Sequence, residues 1–270
     1  MSSEPPEIVP EASVVEAKPF FSRPGGKIFV IWLLMTIIGV VIGLYAPKHL
    51  MPQMVSIEGH RAVLTVVVFT VLAAPVAALV WAVGTYSLLA WRRGAPETPP
   101  EDGPPIRGNG PLTIVWLIVT SFLCIVLLVW GLAELSADTA PHSNALQVDV
   151  TGQQWLWTFG YPGTGVQSRT LVLPVNRPVQ FNVTSEDVTH GFWSLSLGVQ
   201  IDANPDVVTT LLATPNKLGS FVVRCSQICG IYHAFMYAPG KVVTTTQFAQ
   251  WLQSQGASAA KADLDARVTP

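Results

Sequence analysis

Transmembrane α-helices at the N-terminus followed by a C-terminal all-β domain is the architecture this sequence predicts, on three observations. Half of the 270 residues are hydrophobic and only 12% are charged, whereas soluble domains carry about 25% charged residues. Three uncharged apolar segments, residues 28–46, 62–91 and 112–133, each approach or exceed the roughly 20 residues that a helix needs to cross a hydrocarbon core. From Leu146 onward the chain changes to short runs of Val, Thr, Phe and Leu broken by Pro, Gly and Asn, the pattern of a small sandwich or barrel.

Residues 1–27, rich in Pro, Glu, Ser and Ala, read as a disordered arm. The segment at 28–46 is an additional transmembrane helix or an uncleaved signal. A retained helix is expected, because its apolar stretch is longer than a signal core and Pro47 would hinder cleavage after Ala46. Residues 62–134 form a transmembrane helical hairpin. Cys124 lies within it and is expected simply to pack. Lys18, Arg23 and Lys27 before the first span, with Arg92, Arg93 and Arg107 between the second and third, outweigh Lys48 and Arg61. The positive-inside bias then makes the first group cytoplasmic and puts everything after Glu134 outside. A net charge of −2 with no basic face argues against nucleic acid as a partner.

The exported domain is placed at residues 145–250, with a C-terminal tail at 251–270. Strands are expected at Thr170–Pro174, Val179–Thr184, Val207–Leu212, Ser220–Cys225 and Lys241–Thr245, with a short closing helix at Gln247–Gln255. Trp155 and Trp157 alternate on a strand and so share one face.

The chemistry concentrates in Cys225-Ser-Gln-Ile-Cys229-Gly-Ile-Tyr-His233-Ala-Phe-Met236. Thiolates and imidazole select copper, zinc or iron–sulfur chemistry, and the Met thioether tilts the choice to copper. A single-copper electron-transfer site uses one Cys, so the second Cys suggests two metal ions. A disulfide or a structural zinc site remains open, but neither employs both Met236 and a second histidine. His190, in Ser185-Glu-Asp-Val-Thr-His190, is the natural partner of His233, at the start of a loop after the strand at 179–184. The other histidines lie in the linker (His142) or in the loop joining the first two spans (His49, His60).

Taken in order, Gly108-Asn-Gly-Pro-Leu-Thr-Ile-Val-Trp116, Gln154-Trp155-Leu-Trp157, Ser185-Glu-Asp-Val-Thr-His190 and the Cys-to-Met motif resemble subunit II of the haem–copper cytochrome c oxidases, over about residues 62–251. The resemblance implies a cupredoxin-like sandwich holding a binuclear copper centre. Cys225 and Cys229 would bridge the coppers, His190 and His233 would cap one each, and Met236 and the backbone carbonyl of Gln227 would be axial. Trp155 matches the aromatic through which the electron comes in.

The same resemblance implies a subunit of an oxidoreductase in a prokaryotic plasma membrane, with the copper domain periplasmic or extracellular. It would take electrons from cytochrome c or a small copper protein and pass them to haem in catalytic subunit I, where dioxygen is reduced to water. Further oxidase subunits and the lipid bilayer would surround it. The alternatives are the copper-bearing small subunit of a nitric oxide reductase and a membrane-anchored copper carrier. A quinol-oxidase subunit would lack the copper ligands present here.

Two departures stand out. Most members carry Glu at the position of Gln227 and use it to hold magnesium. An amide is a poorer ligand for a hard cation, which puts magnesium in doubt here. Many also carry a Glu shortly before Trp116, at the mouth of a proton path, where this chain has Pro111, Leu112 and Thr113. Glu101 and Asp102 are candidate substitutes. Finally, Asp149, Glu186, Asp187, Asp202 and Asp206 in the copper domain are balanced by Arg169, Arg177, Lys217, Arg224 and Lys241. That balance leaves no strong acidic field to steer a basic donor.

Overall fold

A computed structural model describes residues 19–91, 108–138 and 144–257. Most of the expected arm, Lys18, Arg92, Arg93, Arg107, Glu101, Asp102, His142 and the tail beyond residue 257 lie outside the described residues.

Three helices are long and apolar enough to cross a membrane: α1 (Pro24–Leu50), α2 (Ile57–Trp91) and α3 (Gly110–Asp138). All three outrun the apolar segments that announced them. A single turn at Phe20–Ser22 and the start of α1 at Pro24 show that the end of the expected arm is ordered. Proline suits this first turn, where its missing N–H has no intrahelical partner. Near the other end, Pro47 lies inside α1, and Met51 N–H donates to the Pro47 carbonyl at 3.1 Å. A proline there removes one backbone bond but leaves the last turn intact. His49 and His60 therefore lie on α1 and α2, not in a loop.

Helices α1 and α2 approach closely through small residues. A Cβ on Gly39 would stand 3.0 Å from Ala74 Cβ, and one on Gly43 would stand 3.0 Å from Thr70 Cγ2. Small side chains allow such contact where hydrophobicity alone cannot drive helices together in lipid. Trp32 completes the pair, its indole N–H donating to the Pro75 carbonyl at 2.8 Å. On α3, Cys124 is exposed, which corrects the expectation that it packs.

The C-terminal part is a sandwich of two five-stranded sheets. Its strands are β1 (Leu146–Gln153), β2 (Leu156–Tyr161), β3 (Val166–Ser168), β4 (Leu171–Pro174), β5 (Val179–Ser185), β6 (His190–Ser194), β7 (Val199–Ala203), β8 (Thr209–Ala213), β9 (Gly219–Cys225) and β10 (Tyr237–Val243), followed by α4 (Thr245–Ser254). One sheet runs β3-β2-β1-β5-β8 and the other β4-β10-β9-β6-β7. The β1–β5 and β4–β10 pairs are parallel and the remaining neighbours antiparallel.

Period-two burial builds the core. Val148 and Val150 on β1, Trp157 and Phe159 on β2, and Val179, Phe181 and Val183 on β5 point inward. Phe192 and Val223 meet them from the opposite sheet. Helix α4 closes the end: Thr244 and Gln247 form a reciprocal capping box, and Phe248 and Leu252 are buried. Phe248 and Trp251 pack against Tyr161, whose hydroxyl donates to the Val172 carbonyl and accepts from its N–H, both at 2.9 Å. Leu252 in the core means that the domain extends past the expected boundary at 250.

Strand β10 begins earlier than expected. It starts at Tyr237 rather than Lys241, and Pro239 pairs with Val222 of β9. Pairing with β4 starts only at Gly240, so the proline stands where its second side has no partner strand to satisfy.

The connector between α1 and α2 joins the sandwich, which nothing in the sequence announced. Val55 is fully buried in the core; its N–H donates to Ser196 O at 2.9 Å and its carbonyl accepts from Asn216 N at 2.9 Å. Ser56 Oγ donates to Leu197 O at 2.6 Å, and Glu58 accepts from Thr214 N–H at 2.7 Å. Gly198 makes this contact possible. Its φ is +66°, and an added Cβ would stand 2.5 Å from the Gly59 nitrogen. Gly198→Ala should therefore combine left-handed strain with a backbone clash and cost about 1–3 kcal/mol. At Gly163, also left-handed but with nothing within 4 Å, alanine should cost less. Thermal unfolding of both variants tests this ordering, and equal losses would contradict it.

Candidate metal centre

The sandwich delivers the candidate metal-ligating side chains at one end of the β6–β9–β10 sheet. Strands β6 and β9 are antiparallel neighbours with Phe192 opposite Cys225, which sets the start of β6 beside the end of β9. From Cys225 the chain loops out and returns, and Cys225 N–H closes the loop on Met236 O at 3.0 Å. Ser226 N–H ties the same loop to Gly191 O at 3.0 Å. Within it, Gly230 takes φ +125°, and His233–Phe235 forms a single tight turn.

This folding brings the five predicted side chains together. Sγ of Cys225 and Sγ of Cys229 are 3.8 Å apart, far beyond the roughly 2.05 Å of a disulfide, and both cysteines are free. Each sulfur has an imidazole beside it: His190 Nδ1 lies 3.8 Å from Cys225, and His233 Nδ1 lies 3.5 Å from Cys229. Met236 Sδ is 3.7 Å from Cys229, and the Gln227 carbonyl is 3.1 Å from Cys225. His190, Cys225 and Cys229 are buried, and one ligand atom from each lies within 4.8 Å of the others.

His190 is the first residue of β6, paired with Ala203 of β7, rather than the start of a loop. The turn is made by residues 186–189, so the imidazole is fixed by a ladder. The ring is fully buried, edge-on to Trp157 with centroids 6.0 Å apart. Gly152 makes room for it, since a Cβ there would stand 2.9 Å from His190 Cδ2.

The two tryptophans do not share a face. Gln153 pairs with Leu156 across the β1–β2 hairpin, so Trp155 belongs to the turn, where alternation stops. Trp157 is core, whereas Trp155 is half-buried and lies against the ligand loop. Its ring meets Tyr232 edge-on at 4.8 Å, and a Cβ on Gly230 would stand 3.2 Å from its indole.

Two further residues, quoted above only within motifs or as charges, contact the candidate ligands. Asp187 Oδ1 accepts from His190 Nε2 at 2.8 Å, and its other oxygen accepts from Gln154 N–H at 2.8 Å. Burial opposes its ionisation, but the Gln154 N–H, the His190 ring and the Val188 N–H prevail and hold the carboxyl below its usual range. The Gln154 side chain donates to the Cys229 carbonyl at 2.6 Å. Position i−3 from a ligand histidine was the available signal for Asp187; nothing local marked Gln154.

The donor set fits copper: two thiols, two imidazoles and a thioether are soft or intermediate ligands, with no carboxylate on the metal side. First-row metal–thiolate bonds of about 2.3 Å exceed half the 3.8 Å sulfur separation. Both sulfurs would be within reach of a shared ion. Magnesium fits less well. The Gln227 side chain is exposed and gives its amide N–H to Asp202 Oδ1 at 3.0 Å, so the carboxylate nearby already has a partner.

Burial, followed by the neighbouring Cys225, pushes the Cys229 thiol up to about 12 in the metal-free state. Ligation requires thiolate, so metal uptake must expel a proton. Loading should consequently slow as pH falls from 8 to 6, measured as the rise of the thiolate-to-copper absorption. A rate independent of pH would contradict this.

A sequence model described as cytochrome c oxidase subunit II, periplasmic domain, matches residues 164–243. The chain is 28% identical to cytochrome c oxidase subunit 2 of Synechocystis sp. over 83% of its length and 81% of that protein's. It is 37% identical to the subunit 2 of Thermostichus vulcanus over 46% of this chain and 38% of that one. Among solved structures, the periplasmic domain of subunit II of cytochrome oxidase from Bradyrhizobium japonicum is 31% identical, covering 43% of this chain and 96% of that one, with a TM-score of 0.41. A second structure, of the mixed disulfide between a thioredoxin-like protein and subunit II of cytochrome c oxidase, is 30% identical over 44% of this chain and 98% of that one, with a TM-score of 0.40. With apolar helices preceding a β-sandwich that gathers two cysteines, two histidines and a methionine at one end, the chain belongs to the cytochrome c oxidase subunit II family.

Proposed function

We propose that this chain is the electron-accepting subunit of a haem–copper terminal oxidase, with a binuclear copper centre held by His190, Cys225, Cys229, His233, Met236 and the Gln227 carbonyl. The observation that carries the reading is the pair of free sulfurs 3.8 Å apart, each with its own imidazole. Cys225 and His190 would hold one side of the centre, and Cys229 and His233 the other. Met236 lies on the Cys229 side and the Gln227 carbonyl on the Cys225 side, where each would add a donor to the centre. When bound, the copper pair supplies a one-electron redox couple.

The chain's own residues give that couple a rigid, dry setting. Four of the side chains, His190, Cys225, Cys229 and Met236, are buried, and three of these sit at or beside strand ends. Ligands held this way move little when charge changes. Trp155, packed on the loop between the two cysteines and His233, is where the electron comes in. The carrier passes it to haem in catalytic subunit I, which reduces dioxygen. Before loading, the cysteines must be a dithiol, since ligation takes each as a thiolate.

Arg23 and Lys27, on the described N-terminal side of α1, support a cytoplasmic placement of that end. The copper domain then faces the outside of a prokaryotic plasma membrane, attached to the hairpin of α2 and α3, with α1 as an addition.

The oxidase complex containing this chain should oxidise a reduced cytochrome c or small copper protein with uptake of oxygen. With five acidic and five basic residues in the sandwich region, and Ile228, Ile231, Tyr232 and Phe235 exposed on the ligand loop, donor association should depend weakly on salt. Raising salt from 50 to 300 mM should change the second-order rate by less than about threefold, because a surface of balanced charge has no net steering field for salt to screen. Undiminished oxygen uptake by a copper-free complex would overturn the functional assignment, and a steep fall with salt would overturn the apolar docking.

A further inference from the structure

We infer that Asp187 and Gln154 are positioning residues that lock His190 in one tautomer and tie the Trp155 turn to both cysteine-bearing and histidine-bearing segments of the centre. The inference rests on the copper reading above and adds the device that holds the ligands in register.

The ring of His190 is fully buried, with Nδ1 turned to Cys225 and Nε2 placed 2.8 Å from Asp187 Oδ1. A carboxylate only accepts, so Nε2 carries the hydrogen and Nδ1 presents its lone pair to the metal side. The carboxylate is itself held. Val188 N–H donates to Oδ1 at 2.6 Å, and Ser185 Oγ donates to it at 3.3 Å.

The second oxygen of Asp187 extends the chain of bonds. It accepts from Gln154 N–H at 2.8 Å, and the Gln154 side chain donates to the Cys229 carbonyl at 2.6 Å. Three segments far apart in sequence, at residues 187–190, 154 and 229, are thereby linked in one path, His190 to Asp187 to Gln154 to Cys229. The indole of Trp155, next in the chain, lies on Gly230. Movement of the Trp155 turn is thus coupled to both a ligand imidazole and the cysteine loop. A carboxylate behind a ligand imidazole also makes that imidazole a stronger donor, which favours the oxidised metal pair and lowers its potential.

The test uses the full-length chain in detergent, metal-free and copper-loaded. Asp187→Ala should weaken copper binding about 10- to 100-fold and raise the reduction potential of what remains. Asp187→Asn, closer in shape, should shift the potential the same way, and Asp187→Glu should recover part of the loss. Glu186→Gln makes the same charge change next door without a bond to His190 and should move neither quantity.

In the metal-free chain with nitrogen-15 histidine, His190 should show a single Nε2–H tautomer that becomes mixed in the Asp187 variants. Gln154→Ala should retain copper yet take up electrons more slowly from a soluble photoreductant. Wild-type affinity, potential and tautomer in Asp187→Asn and Asp187→Ala would overturn the inference. Should Asp187→Ala not fold, the Asn variant and the tautomer measurement decide. If the wild-type chain bound no copper, the functional reading would fall while the tautomer measurement still judged the brace.

Discussion

Cys229→Ser is expected to leave a folded sandwich that holds no copper pair. Changing a residue that merely supports a ligand costs roughly 10–100-fold in metal affinity, and replacing a bridging thiolate by a hard, weakly acidic hydroxyl must exceed that. The loss should be larger than for a capping ligand, because Cys229 stands 3.8 Å from Cys225, 3.5 Å from the His233 nitrogen and 3.7 Å from the Met236 sulfur. One substitution thus removes the common neighbour of three donors. Serine nearly matches the cysteine in volume, so the structural cost is that of a buried hydroxyl, about 1–3 kcal/mol if it finds no partner. Copper content and thermal unfolding of the same sample separate these effects. A variant that kept two coppers would contradict the bridging role.

The second large effect contrasts two tryptophans separated by one residue. Trp157 is 1% exposed and packs edge-on against both His190 and Phe192, with centroids 6.0 and 5.8 Å away. Trp157→Ala should cost about 3–5 kcal/mol and loosen the seat of His190 as well. Trp155 sits in the turn, half-buried at the edge of the core, with its ring on Gly230 and Tyr232. Trp155→Ala should cost less stability and keep its copper, yet slow electron uptake from a protein donor by at least tenfold, since the aromatic path into the ligand loop is gone. Denaturant titration and stopped-flow reduction check the pair. Equal stability losses, or unchanged uptake in Trp155→Ala, would contradict the assigned roles.

What the sequence made legible follows from how local each signal was. The Cys225-to-Met236 motif is closed on itself by short-range bonds, so composition and spacing were enough to name four candidate ligands that the fold brings together. The three membrane helices were legible from hydropathy, but not their ends. Residues such as Pro47, His49 and His60 read as loop because polarity says nothing about where backbone bonding stops. Strand β10 was misplaced because Pro239 is a turn signal in isolation, and only the register with β4 shows why it is tolerated. The pairing of Trp155 with Trp157 failed for a related reason, since the β1–β2 turn interrupts the period.

Long-range contacts were the least visible. Val55 enters the sandwich from a connector between membrane helices, and its hydrogen-bond partners Ser196 and Asn216 lie more than 140 residues away in a segment with no matching pattern. Gln154 and Asp187 likewise look like ordinary polar loop residues until the fold places them beside Cys229 and His190. Neither hydrophobic period nor ligand spacing encodes such meetings.

The most direct test of the account is metal analysis combined with electron paramagnetic resonance on the purified full-length chain. The account predicts two coppers per chain and a single unpaired spin shared equally between them. Zinc in the site, one isolated copper, or a Cys225–Cys229 disulfide that takes up no metal after reduction would contradict it.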